Sequence, residues 1–154
     1  MNTIEQETIH LIGLSLEHQT TNANGQSAID CGNLWTAFEK GNYAQQVPAK
    51  MGEALFAVYH NYVGDYTQPY SYFIGCKVQP GTIAPTGLDS LMIAPGTYLR
   101  IPLKGKIPDM VAEAWQKIWQ SDFPRAYRPD FEIYDERSKD WEHAEADIFL
   151  SVKP

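Results

Sequence analysis

The chain has 154 residues, a formal net charge of -7, 44% hydrophobic and 20% charged residues. This is the balance of one folded domain with a sizeable core rather than of a disordered chain. The negative charge repels nucleic-acid phosphates, and Lys104 and Lys106 are the nearest approach to a basic patch, so no direct nucleic-acid binding is expected.

No apolar run approaches the roughly 18 residues of a membrane span, and the start of the chain lacks a basic, apolar leader. A cytoplasmic location without membrane association is therefore expected. Cys31 and Cys76 do not make a disulfide framework and read as reduced, buried thiols.

A first strand is expected from Thr8 to Glu17, with Gly13 marking a bulge or a close backbone approach. His18 to Ser27 is polar, contains Asn24-Gly25 and reads as loop. A helix follows, with Ile29, Leu34, Trp35 and Phe38 on one apolar face. Ser27 or Asp30 is its candidate cap and Gly41 its stop. Tyr43 to Met51 fits either a short helical turn or irregular loop. Strands are expected over Leu55 to Tyr62 and Tyr70 to Val78, joined by a hairpin-type link. Pro80 to Asp89 reads as an internal boundary.

The second half follows the same plan. Gly96 to Leu103 reads as strand, and Pro108 fits the first turn of a helix faced by Val111, Ala114, Trp115 and Ile118. Phe131 to Asp135 and Ala146 to Val152 supply two more strands, separated by a charged connection. The expected fold class is therefore α+β. Duplicated β-α-β-β units, about 1–82 and 88–154 of a single domain spanning 1–154, would form a mainly antiparallel sheet. The helices lie on one side and leave a ligand cleft.

No metal or cofactor site is expected. His10, His18, His60 and His143 are scattered, Gly52 and Gly75 belong to no phosphate loop, and no nucleophile elbow is present. The aromatic residues are more suggestive. Tyr59, Tyr62, Tyr66, Tyr70, Tyr72 and Phe73 crowd one hairpin, and Tyr98, Trp115, Tyr127, Phe131 and Tyr134 enrich the second half. Alternation puts Leu55, Ala57 and Tyr59 on one face of their strand, with Phe56, Val58, His60 and Tyr62 on the other. Glu132 and Tyr134 share a side, as do Asp147 and Phe149. A carboxylate among these aromatics needs hydrogen bonds or a cation to offset burial. Tyrosine hydroxyls supply the former and a bound cation the latter, with cation–π attraction of about 0.5–2 kcal/mol. The plainer alternative is an exposed edge carboxylate or an internal hydrogen-bond partner.

Gly32-Asn33-Leu34-Trp35-Thr36-Ala37-Phe38, Tyr59-His60-Asn61-Tyr62-Val63-Gly64-Asp65-Tyr66-Thr67 and Tyr70-Ser71-Tyr72-Phe73-Ile74-Gly75-Cys76 resemble, in order, segments of the GyrI-like, or AraC-type, effector-binding family. Ile93-Ala94-Pro95-Gly96-Thr97-Tyr98, Ala114-Trp115-Gln116-Lys117-Ile118-Trp119, Asp130 to Arg137 and Glu145 to Leu150 continue the resemblance. It implies the duplicated fold and a cleft for small organic molecules, often hydrophobic cations. The family's tyrosine-rich hairpin maps onto Tyr59, Tyr62, Tyr70 and Tyr72, its second-helix tryptophan onto Trp115, and its acidic position near the last strand onto Asp147. Glutamate is common at that last position, so Glu132 and Glu145 are alternative carboxylates. Proline is frequent in the family where this chain has Ser151.

The candidate ligand-binding residues are therefore Tyr59, Tyr62, Tyr70, Tyr72, Tyr98, Trp115, Glu132, Tyr134, Glu145 and Asp147, and the expected partner is a hydrophobic or cationic small molecule. With the first strand starting near residue 8, a regulatory role would act through a protein partner or by sequestering the ligand. The resemblance also allows a hydrolase of strained electrophiles, with Asp147 or Glu132 as base and Tyr72 or Tyr98 as proton donor. A protein-interaction module of gyrase-inhibitor type is the third reading.

Overall fold

The computed structural model describes residues 2–154. β1 (Thr3–Gln6) and β2 (Ile9–Ser15) lead into α1 (Gln26–Lys40) and the single-turn α2 (Tyr43–Gln46), followed by β3 (Lys50–His60) and β4 (Ser71–Val78). β5 (Asp89–Ile93) and β6 (Gly96–Gly105) precede α3 (Asp109–Trp119), and β7 (Asp130–Tyr134) and β8 (Ala144–Ser151) follow it. All the strand pairings are antiparallel, in one eight-stranded sheet of order β1-β6-β8-β7-β3-β4-β2-β5. The order reads the same from either edge with each strand number moved by four. β1 crosses to pair with β6, β5 crosses to pair with β2, and β3 against β7 forms the central seam.

The expected α+β architecture is the one observed, with local corrections. The strand expected from Thr8 to Glu17 is β2, a further strand, β1, precedes it, and β5 begins where a boundary loop was expected to end. Both additional strands are edges that expose most of their residues, so neither carries the apolar alternation that marks a strand. Ile29 is 58% exposed and does not join the apolar face of α1, which buries Leu34 and Phe38. Neither Ser27 nor Asp30 caps α1. Gly25 occupies the cap position at φ 70, and Asp30 accepts from Thr20 Oγ1 at 2.7 Å. Gly41 does stop the helix. Gly13 and Gly75 face each other across β2 and β4, and a Cβ on Gly13 would stand 1.9 Å from the Ile74 carbonyl oxygen. The close backbone approach expected there is real, and no side chain fits it.

Strand alternation gives the sheet two different faces. One face meets both helices. Beneath α1 it buries Ile12, Ala57, Tyr72, Ile74 and Cys76 with Leu34 and Phe38. Beneath α3 it buries Leu99, Ala146, Ile148 and Leu150 with Trp115 and Ile118. Tyr59 and Tyr134 pack against both clusters, which places the β3 and β7 seam between the helices. The opposite face is a separate aromatic core of Phe56, Phe73, Tyr98, Phe131 and Phe149. Phe131 stacks on Phe149 there at 4.9 Å.

Candidate functional site

β7 carries Asp130, Glu132 and Tyr134 at its two-residue period, so all three project onto the helix-covered face. Register sets Tyr59 opposite Asp130 and Ala57 opposite Glu132. The small Ala57 leaves space above Glu132 that larger side chains fill. Tyr59 and the Trp115 indole donate to Glu132 Oε2 at 2.7 and 2.6 Å, and Tyr134 donates to Oε1 at 2.6 Å. Glu132 is 1% exposed, and no Lys, Arg or His among the described residues forms an ion pair with it. Burial pushes its carboxyl above the usual range, against the pull of those hydrogen bonds. Burial and the neighbouring Glu132 charge also raise Tyr59, Tyr72 and Tyr134, so the phenols stay protonated.

Aromatic rings surround this carboxylate. Tyr59 lies 5.0 Å from Tyr72, 4.9 Å from Trp115 and 5.7 Å from Tyr70, centroid to centroid. Trp35 donates to the Tyr72 hydroxyl at 2.8 Å and meets Tyr134 edge-on at 5.4 Å. Tyr66, in the β3–β4 loop, stacks flat on Trp119 of α3 at 5.8 Å and ties that loop across the seam. Cys31 borders the same cluster, where burial and then Glu132 push its thiol up and keep it unreactive.

Tyr62 breaks the alternation expected of it. β3 ends at His60, and Asn61 takes φ 51, which turns Tyr62 back to the side of Tyr59. Its hydroxyl donates to Asp130 Oδ2, and its ring lies 5.9 Å from Tyr70. Asp130 is fully buried and also accepts from Arg125 Nη2 at 2.9 Å. Its Oδ1 receives the Ser151 amide at 2.6 Å and lies 2.9 Å from the Ser151 hydroxyl. Ser151 thus gives Asp130 an N–H that a proline at this position would lack. Burial works against the Arg125 charge, yet Asp130 beside it raises its pKa overall.

The structure brings together Tyr59, Tyr62, Tyr70, Tyr72, Trp115, Glu132 and Tyr134. It does not bring Tyr98, Glu145 or Asp147 to them. Tyr98 packs in the aromatic core of the opposite face and donates to the Pro129 carbonyl oxygen at 3.2 Å. Glu145 is exposed, opposite Lys104. Asp147 sits opposite Ile133, on the face away from Glu132, and Arg137 Nη2 donates to its Oδ2 at 2.8 Å. Arg100 Nη2 lies 2.9 Å from its Oδ1 without directing an N–H at it. Asp130 and Arg125 are additional members of the cluster. The two-residue period shared with Glu132 signals Asp130. No pattern signals Arg125, which reaches the site through irregular backbone that includes Tyr127 at φ 53.

A buried carboxylate ringed by aromatics thus lies at the β3 and β7 seam of the sheet. The family model of the integron-associated effector binding protein, Cass2, matches residues 3–152. The chain belongs to that family. An integron cassette protein from the mobile metagenome of Vibrio cholerae is 25% identical to this effector-binding protein. It aligns over 99% of this chain and 95% of its own, with a TM-score of 0.74. The structure of SAV2435 bound to tetraphenylphosphonium shares the fold at 16% identity, with a TM-score of 0.77 over 99% of this chain and 93% of that one. YobU of Bacillus subtilis (strain 168), named as a candidate transcriptional regulator, is 25% identical over 108 residues, 68% of each chain. The GyrI-like effector-binding fold expected from the sequence is the fold of this protein. Among the described residues no helix is long and apolar enough to cross a membrane.

Proposed function

We propose that this effector-binding protein takes up a hydrophobic organic cation at the seam between α1 and α3, with Glu132 as its counter-charge. The observation that carries the reading is Glu132 itself, a buried carboxylate with hydrogen bonds from Tyr59, Trp115 and Tyr134 and no cationic partner among the described residues. Neutral donors hold the carboxylate in place without neutralising it, so a ligand cation gains the whole charge in a low-dielectric setting. The faces of Tyr59, Tyr72 and Trp115 add roughly 0.5–2 kcal/mol per good cation–π contact. SAV2435, which shares the fold, was solved with a lipophilic cation, and that supports the same ligand class here. Glu132 is 1% exposed, so a ligand reaches it by parting the aromatic side chains above it. Regulation through a protein partner fits the same scheme, because displaced aromatics alter the loop that Tyr66 anchors.

The test is calorimetry with tetraphenylphosphonium and with neutral triphenylphosphine oxide. The phosphonium binds at least about tenfold more tightly if Glu132 supplies the counter-charge. Equal affinity for the two compounds, or no binding of either, removes the proposal.

A further inference from the structure

Arg125 is the second unusual group on this face. Its side chain is 6% exposed, Nη2 is committed to Asp130, and Nε and Nη1 have no hydrogen-bond partner among the described residues. Buried N–H groups are rarely left so, because the desolvation cost goes unrecovered. Asp130 has no capacity to take them. Its Oδ2 already receives Arg125 Nη2 and the Tyr62 hydroxyl, and its Oδ1 receives the Ser151 amide and faces the Ser151 hydroxyl.

The position of the guanidinium gives those free donors a use. Its carbon lies 4.3 Å from the Tyr127 ring centroid and 5.7 Å from those of Tyr62 and Trp115. The Trp115 indole is the same group that donates to Glu132. Arg125 and Glu132 therefore border one aromatic side chain, the first with unused donors and the second with an uncompensated charge. Resting on the proposed function, we infer that the ligand carries a carbonyl-type hydrogen-bond acceptor beside its positive charge, and that Arg125 binds this acceptor. Arg125 and Asp130 neutralise each other as a pair, so a neutral ketone, ester or carboxamide oxygen suits the site better than an anion. Glu132 then selects for charge, and Arg125 selects among cations.

Two triphenylphosphonium probes of matched size separate these roles, one with a carbamoylmethyl arm and one with an isobutyl arm. An aromatic pocket alone prefers the isobutyl compound. With Arg125 donating to the carboxamide oxygen, the wild-type protein prefers the carbamoylmethyl compound by about tenfold in calorimetry. The paired substitution Arg125→Met with Asp130→Asn leaves neither charge buried alone, and it returns the preference to the isobutyl compound. Equal or tighter wild-type binding of the isobutyl compound overturns the inference and leaves the proposed function standing. So does a preference that survives the paired substitution. Failure of both probes to bind overturns the two together. Should the paired variant not fold, the wild-type ratio decides alone.

Discussion

Replacing Glu132 by Gln removes a buried charge and keeps the shape of the side chain. In the native protein the carboxylate accepts from Tyr59, Trp115 and Tyr134, and a hydrogen bond to a charged acceptor exceeds a neutral one by about 1 kcal/mol. Those bonds together return roughly 3 kcal/mol, whereas withdrawing a carboxylate from water costs several. The raised pKa of Glu132 agrees that burial is the larger effect. In the variant the amide oxygen still accepts from Tyr59 and Trp115, and the Tyr134 hydroxyl turns to accept from the amide nitrogen. Ligand-free Glu132→Gln is thus expected to be more stable near neutral pH by about 1 kcal/mol or more, a rise of about 2–4 °C in Tm per kcal/mol. It loses affinity for an organic cation by about 30-fold or more. A carboxyl whose folded-state pKa is raised binds its proton more tightly in the folded state. Its contribution to stability is fully present below the unfolded pKa of about 4.3 and is lost as pH rises through the folded value. The Tm gap between variant and wild type therefore narrows on acidification. Thermal melts with and without tetraphenylphosphonium provide the assay. A variant that melts below wild type at neutral pH with its circular dichroism intact refutes the burial argument. A variant that keeps its affinity refutes the role of Glu132.

The same raised pKa sets the pH dependence of binding. Affinity for an organic cation falls as pH drops through the folded-state value of Glu132, higher than for an ordinary glutamate, and proton release on binding is read by calorimetry in buffers of different ionisation enthalpy. Ser151→Pro removes the amide donor to Asp130 and the hydroxyl beside it, and is expected to cost about 3 kcal/mol or more, measured by denaturant unfolding. Asp147→Asn is expected to change cation affinity by less than about twofold and stability by about 1 kcal/mol or less, since its arginine partners are substantially exposed. A large loss of affinity in that variant would return the counter-charge to Asp147. Trp119→Ala removes the stack on Tyr66, worth about 0.5–1.5 kcal/mol, and is expected to speed amide exchange across Gly64 to Gln68.

Much of this site was legible along single strands. The two-residue period places Glu132 with Tyr134 and groups Leu55, Ala57 and Tyr59, and each pairing holds. The period fails where a strand stops. Tyr62 was expected opposite Tyr59, but one left-handed residue, Asn61, reverses it. The edge strands β1 and β5 were missed because a strand paired on one side and exposed on most of its residues carries no apolar alternation.

The sequence by itself determined which residues share a face within each strand, where α1 and α3 lie, and that carboxylates and aromatics would be folded together. Only the tertiary structure decided which faces meet. Asp147 stands opposite Ile133 rather than Glu132, a difference of one residue in register. Because side chains alternate sides at every residue, that single step sends Asp147 to Arg100 and Arg137 on one face and leaves Glu132 among the rings on the other. Register arises from contacts between segments far apart in the chain, so no local pattern records it.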